Sequence, residues 1–306
     1  QALQKMGKKL YAVANRTYDK AVEFAEKYGA EKVYEKIDDM FADKESDIIY
    51  ITTPHNTHIK FMLEALKNGK HVLCEKSITL NSEELEEAVK IAKEKNLILG
   101  EAMTIFNMPL YTKLSDIVNS GKLGDVKMIQ VNFGSYKEYD MNNRFFNRNL
   151  AGGALLDIGV YAISITRLFM TSKPDNVLSQ VKYAPTGVDE QVGIIMMNKE
   201  QQMSTIALTL HSKQPKRVVI ACEKAYIEVL EYPRADKAKI VYTETGEIEE
   251  IEEGITANAL QYEMQNMEKS VKSGINQMKL EYTRDVMDIM TNLRKEWGMT
   301  YPEEEK

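Results

Sequence analysis

From Leu10 to Glu101 the chain alternates short, unbroken apolar runs with stretches whose apolar residues recur at three- and four-residue steps. Such runs read as strands covered on both faces, and the stretches between them as crossover helices, so the pattern predicts a parallel β-α-β-α order. Leu10 to Ala14 is the first strand, and a helix follows with Ala21, Phe24, Ala25 and Tyr28 inward and Gly29 as its stop. Ile48 to Ile51, His71 to Cys74 and Ile98-Leu99 are further strands; the helices between them bury Ile59, Met62, Leu63 and Leu66, then Leu85, Ala88, Val89 and Ala92. Asn81 and Glu84 form a capping-box pattern ahead of the second of these helices. Pro109, the helix running to Ser120 and the turn Gly121-Lys122-Leu123-Gly124 mark the passage into a second region.

There the period changes to two. Ile129, Val131 and Phe133 alternate with Met128, Gln130 and Asn132, and strand-like runs recur at 178–183, 191–197, 204–210, 217–222, 225–230 and 239–242. Short turns between several of them predict an antiparallel meander with one open face. The acidic stretch Glu247 to Glu253, broken by Ile248 and Ile251, reads as a solvated strand or turn. Two amphipathic helices close the chain, one with Leu260, Met264, Met267 and Val271 inward, the other with Tyr282, Val286, Ile289, Met290, Leu293 and Trp297. Their methionines read as core packing.

A chain of 306 residues suits two domains. With 43% hydrophobic and 28% charged residues, a net charge of -6 and basic residues interleaved with acidic ones, no basic face for nucleic acid is expected. No unbroken apolar run reaches the ~20 residues that cross a bilayer. The lack of a basic face points to a small-molecule partner, and two distant cysteines, Cys74 and Cys222, with a start without a signal-like layout, point to the cytoplasm.

Ligands of an open parallel sheet bind beyond the carboxyl ends of its strands. Those ends are polar here: Asn15-Arg16; Thr52-Thr53-Pro54-His55-Asn56-Thr57-His58; Glu75-Lys76; and Glu101. A separate apolar helix opens on Gly152-Gly153 and carries Asp157 and Tyr161 four residues apart, on one face. Removing a hydride and a proton from a secondary alcohol requires a basic or phenolic group at the carbinol oxygen. Lys76 and Tyr161 are the candidates, with Asp157 orienting hydroxyls. A lysine close to a tyrosine is expected to favour the phenolate. The stretch Tyr136 to Asn149 precedes this helix and is expected to line the pocket, with Arg144 contacting nicotinamide or substrate and Phe145 and Phe146 forming an apolar wall. No metal site is expected.

These segments, in this order, resemble the glucose-fructose oxidoreductase/inositol dehydrogenase/MocA (Gfo/Idh/MocA) family of nicotinamide-dependent oxidoreductases. Within it the chain is most similar to the dihydrodiol-dehydrogenase-like branch, which has tyrosine at the position of Tyr161. The resemblance covers nearly the whole chain, including Ala14-Asn15-Arg16, Thr53 to His58, Glu75-Lys76, Gly100-Glu101-Ala102-Met103, Gly121 to Gly124 and Gly152 to Tyr161. It implies an α/β Rossmann domain over 1–118, with helix 280–297 returning to pack on it. An α+β domain over 119–279 would carry the large open, mainly antiparallel sheet. It implies catalysis by Lys76, Tyr161 and Asp157, and a cofactor held by Asn15, Arg16, Thr52, Thr53, Pro54, His55, Asn56, His58, Glu75, Lys76, Glu101 and Arg144. The expected reaction is NAD(P)-dependent hydride transfer at a secondary alcohol or carbonyl of a sugar, polyol or cyclic diol. The other reading is a catalytically silent sugar- or nucleotide-sensing protein on the same scaffold. Arginine beside a neutral amide at Asn15-Arg16 favours NADP over NAD. A homodimer or homotetramer formed through the second sheet is implied.

The chain departs from the family pattern twice. Gln1 to Met6 reads as the tail of the helix that follows the family's glycine-rich turn, so roughly 20 to 30 residues with the first strand and that turn are expected ahead of Gln1. Ser77 stands where the family usually has proline after the lysine.

Overall fold

A computed structural model describes residues 2–305. A short helix α1 (Ala2–Lys5) leads to β1 (Ala12–Ala14), α2 (Tyr18–Tyr28), β2 (Lys32–Tyr34), α3 (Ile37–Ala42) and β3 (Ile48–Ile51). There follow α4 (His58–Lys67), β4 (His71–Glu75), α5 (Ser82–Glu94) and β5 (Leu99–Ala102). Gly29 ends α2 with φ of +71°, and its N–H bonds to Ala25 O at 2.7 Å. Only glycine takes that left-handed turn without cost. At α5, Asn81 Oδ1 accepts from Glu84 N–H at 2.9 Å, but the Glu84 carboxylate accepts from Leu80 N–H rather than from Asn81, so the expected box closes one residue early.

All strand pairs of this half are parallel, in two groups: β1 with β2, and β3–β4–β5. Between the groups lies a cavity of about 560 Å³, walled by Ala12 and Ala14 on one side and Ile48 and Tyr50 on the other.

The second half begins with α6 (Thr104–Asn107), α7 (Pro109–Asn119) and β6 (Val126–Gly134). Next come α8 (Val160–Phe169), β7 (Asn176–Tyr183), β8 (Asp189–Met197), β9 (Met203–Thr209), β10 (Gln214–Cys222), β11 (Ala225–Leu230), β12 (Lys237–Tyr242) and β13 (Ile248–Glu252). These strands form one eight-stranded sheet in the order β13-β12-β11-β10-β6-β9-β8-β7. A plain meander does not describe it. Two antiparallel meanders, β7–β9 and β10–β13, flank β6, which pairs parallel with β9. The reason is the long connection through α8: β6 leaves the sheet before either meander forms and takes the centre between them. Cross-strand neighbours Ile194, Ile206, Val131, Val218 and Val229 run across the inner face, where α8 packs. The acidic stretch 247–253 is an edge strand, with Lys237–Glu252 at 3.2 Å holding it to β12.

The helical stretch Arg148–Phe169 is long and apolar enough to cross a bilayer, yet 78% of its most apolar window is buried within the protein. A helix wrapped on all sides by core is apolar all round. Finally α9 (Ala259–Ser273) lies against β5 and α6, and α10 (Leu280–Glu296) packs on α5, β5 and α8, joining the two halves.

Candidate active site

The carboxyl ends of β3 and β4 open on a pocket of about 400 Å³. Thr52, Thr53, Pro54 and His55 come from the end of β3, and Glu75 and Lys76 from the end of β4. The opposite wall is Arg144, Phe145, Leu150, Ala151, Gly152 and Asp157. Thr52 also lines the larger cavity between the parallel groups, as does Asn15. The two spaces therefore adjoin along the strand ends. Together they match the demands of a dinucleotide, which needs a long cleft with polar groups at the strand ends.

Lys76 is the centre of the pocket. Its Nζ donates to Asp157 O at 2.8 Å and to Asp157 Oδ1 at 3.2 Å. The same ammonium lies 5.1 Å from the ring centroid of Tyr161. Asp157 falls in a π-helical turn, Leu155–Gly159, and Tyr161 in the α-helix that continues it. Despite that wider turn, both residues reach the lysine. The Lys76–Ser77 peptide is cis, and Ser77 Oγ donates to Leu156 O at 2.9 Å, tying the end of β4 to the helix.

Burial pushes the Asp157 carboxyl upward, but Lys76 and Arg144, whose guanidinium is 3.8 Å away, outweigh it and hold its pKa below the ordinary value. Asp157 is thus a carboxylate at neutral pH. Burial holds the His55 pKa down to about 4, helped by the charge of Lys76, and its Nε2 lies 3.1 Å from Lys76 O. That ring is neutral. For Tyr161 the expectation of a favoured phenolate fails. Burial raises its pKa, and Glu75, Asp157 and Glu263 add to the effect, while Arg234 opposes it. Burial is the largest cause and outweighs the nearby positive charges, so Tyr161 is a neutral phenol. Among the described residues its hydroxyl has no hydrogen-bond partner, and its ring packs 6.1 Å from that of Phe133.

Other expected site residues sit outside the pocket wall. Arg16 is exposed beyond β1. Asn15 Oδ1 accepts from Thr17 N–H at 2.8 Å, just ahead of α2. Asn56 turns away, donating to Glu303 Oε1 at 2.6 Å. His58 is fully buried, with its ring nitrogens 3.0 Å from Ser77 O and 2.7 Å from Thr53 O, and so braces both strand-end loops. Glu101 is also fully buried; it accepts from Ile78 N–H and Thr283 Oγ1, each at 3.1 Å, and burial pushes its pKa up to about 7. Of the loop 136–149, Arg144 and Phe145 line the pocket, whereas Phe146 is core. Leu150 and Ala151 were not expected at the site. Lying between a polar loop and a glycine pair, they carried no local signal.

A Rossmann-type half with lysine, carboxylate and phenol gathered at its strand ends defines a nicotinamide-dependent oxidoreductase acting on CH–OH groups. The comparisons agree. Residues 1–103 match the GFO/IDH/MocA oxidoreductase family, NAD-binding Rossmann fold, and residues 111–228 match the GFO/IDH/MocA C-terminal domain. The chain belongs to the Gfo/Idh/MocA family. It is 28% identical to trans-1,2-dihydrobenzene-1,2-diol dehydrogenase of Xenopus laevis, over 95% of this chain and 90% of that one. With the Homo sapiens protein of that name it is 26% identical, over 100% of this chain and 94% of the other. Among solved structures, a 3-ketoreductase from Actinomadura kijaniata in complex with TDP-benzene and NADP has the same fold, with a TM-score of 0.79 at 20% identity over 95% of this chain and 89% of that one.

Proposed function

We propose that the protein moves a hydride between NADP and a secondary alcohol, or its carbonyl, on a sugar, polyol or cyclic diol, with Lys76 and Tyr161 managing the proton. One observation carries this reading: a single ammonium, Lys76, is held at the pocket wall by Asp157 and lies against the Tyr161 ring. The bound dinucleotide supplies or accepts the hydride at nicotinamide C4. The rest falls to side chains. In the reducing direction the neutral Tyr161 hydroxyl gives its proton to the substrate oxygen, and the Lys76 ammonium stabilises the negative charge that gathers there. In the oxidising direction Tyr161 first gives up its own proton to solvent, and its phenolate, beside the Lys76 ammonium, then takes the proton from the same oxygen. Asp157, ionised, fixes the ammonium and accepts from a neighbouring hydroxyl, and Arg144 closes that side.

Asn15 and Arg16 are assigned to the adenosine end of the dinucleotide, Thr52 to His55 to its middle, and Glu75 and Arg144 to the nicotinamide side. A guanidinium beside a neutral amide suits a 2′-phosphate, which favours NADP. Asn56, His58 and Glu101 hold those loops from behind. The dinucleotide half is assigned to 1–118 and the substrate half to 119–279. Vicinal hydroxyls are common to the diol named for the frog and human relatives and to sugars, and the Lys76–Asp157 pair offers contacts for two adjacent oxygens. For the outer face of the large sheet, where Leu178, Ile195 and Leu230 are exposed, the assigned partner is a second copy of the chain. Light scattering that returns a monomer would remove that assignment.

The test is a fluorescence titration with NADPH and NADH, followed by turnover assays over ketosugars, polyols and cyclic diols. Tighter NADPH binding with turnover in one of these classes supports the reading. Binding without turnover across the whole panel contradicts it.

A further inference from the structure

The helix that carries Asp157 and Tyr161 starts on a buried carboxyl from a strand more than thirty residues away in sequence. Asp189, the first residue of β8, is fully buried, and its Oδ2 accepts from Leu155 N–H at 2.6 Å. A helix leaves its first N–H groups without internal partners, and a carboxylate there also meets the positive end of the helix dipole. Asp189 Oδ1 has no partner among the described residues. It faces Gly153 so closely that a Cβ at that position would lie 2.1 Å from it. Gly153 itself has φ of +126°, so both its backbone and the carboxylate exclude a side chain. On the other flank Tyr301, also fully buried, donates from its hydroxyl to Gly152 O at 2.7 Å. A Cβ at Gly152 would come within 2.8 Å of Arg144 O. The two glycines are therefore gripped between Asp189, Tyr301 and the loop that carries Arg144.

We propose that Asp189 is a positioning residue: through its bond to Leu155 and its close fit on Gly153 it sets where the helix begins, and hence where Asp157 and Tyr161 meet Lys76. Leu155 lies just ahead of Asp157 in the same turn, and the backbone oxygen and carboxylate of Asp157 both receive the Lys76 ammonium. A shift of the helix start is carried directly into that contact. This role rests on the assignment of Lys76 and Tyr161 as the proton-handling pair. It predicts a loss in the chemical step with cofactor binding preserved, because Asp189 lies behind the helix and does not line the pocket. Burial raises the Asp189 pKa to about 7, against the pull of the Leu155 N–H and the charge of Arg294. Tyr301 and Glu304 complete the titratable groups facing this corner. The hydrogen bond from Leu155 N–H, which a carboxyl oxygen accepts in either protonation state, is the contact that positions the helix.

Two variants of the full chain test this. Asp189→Ala is expected to lower kcat at least about tenfold, since misplacement by ~1 Å costs up to a hundredfold, while the NADPH Kd stays within about twofold. Asp189→Asn keeps an oxygen for Leu155 N–H and is expected to restore kcat to within about threefold of the parent. Should Asp189→Ala fail to fold, Asp189→Ser, whose shorter side chain does not reach Leu155 N–H, carries the same expectation. Parent-like kcat in the alanine or serine variant, or an asparagine variant as slow as Asp189→Ala, would overturn the role. If Lys76→Ala and Tyr161→Phe leave turnover intact, the assignment of the proton-handling pair has failed instead.

Discussion

Lys76 Nζ and Asp157 Oδ1 stand 3.2 Å apart, a contact between the end of a parallel strand and a helix of the other half of the chain, 81 residues away. It joins the proposed dinucleotide side of the pocket to the proposed substrate side, and it keeps one positive charge at the wall where a substrate oxygen would develop negative charge. The consequences can be checked one residue at a time.

Replacing Lys76 with alanine removes the ammonium and leaves Asp157 facing Arg144 alone. Turnover is expected to fall about a hundredfold to ten-thousandfold, the range for losing a positioned acid–base group. Dinucleotide affinity should change little. Steady-state kinetics with a separate NADPH titration distinguishes the two effects.

Tyr161→Phe keeps the ring against Phe133 and removes a hydroxyl that has no partner among the described residues. Folding stability should scarcely move, with Tm within about 2 °C of the parent. The drop in kcat should rival that of Lys76→Ala. A variant that loses stability but keeps kcat would make Tyr161 a core phenol and nothing more.

Arg16→Ala should weaken NADPH binding about tenfold and leave NADH binding unchanged, because only the 2′-phosphate calls for the guanidinium. Equal losses with both dinucleotides would instead point to stacking of the arginine on adenine.

Glu263 gives a pH-dependent test of stability. It is fully buried on α9, neither carboxyl oxygen has a partner among the described residues, and burial raises its pKa to about 8, with Glu75 adding to the effect. A carboxyl whose folded pKa lies above its unfolded value contributes stability below the unfolded value, and that contribution is lost as pH rises through the folded one. The window is therefore about pH 4.5 to 8. Thermal unfolding of the parent should weaken across it, and Glu263→Gln should flatten the dependence and raise Tm at pH 8 by about 2 °C or more. An unchanged slope would show that Glu263 does not titrate in that window.

Much of this was legible in the sequence because it is local. The unbroken run Ile48 to Ile51 is β3, residue for residue, and the alternation from Val126 gives β6 its inner and outer faces. Residues directly after β3 and β4 do reach the pocket, since a strand aims the residues beyond its carboxyl end. The features that escaped depend on distant partners. His58 and Glu101 obey the same strand-end logic as Lys76, yet His58 is drawn onto the carbonyls of Thr53 and Ser77, and Glu101 onto Ile78 and Thr283. The central place of β6 comes from a crossover that strand spacing does not encode. Asp189 looks like any strand-initial aspartate until Gly153 is placed against it. The state of Tyr161 depends first on burial by elements distant in sequence, with Glu75, Asp157 and Glu263 reinforcing it and Arg234 opposing it.

The most direct measurement tracks deuterium from the C4 position of NADPH into product, comparing the parent protein with Lys76→Ala on a substrate found in the turnover panel. Deuterium on the carbinol carbon with the parent, and a rate at least about a hundredfold lower with the variant, is the expected result. Deuterium transfer at the same rate by both proteins would contradict the central role given to Lys76.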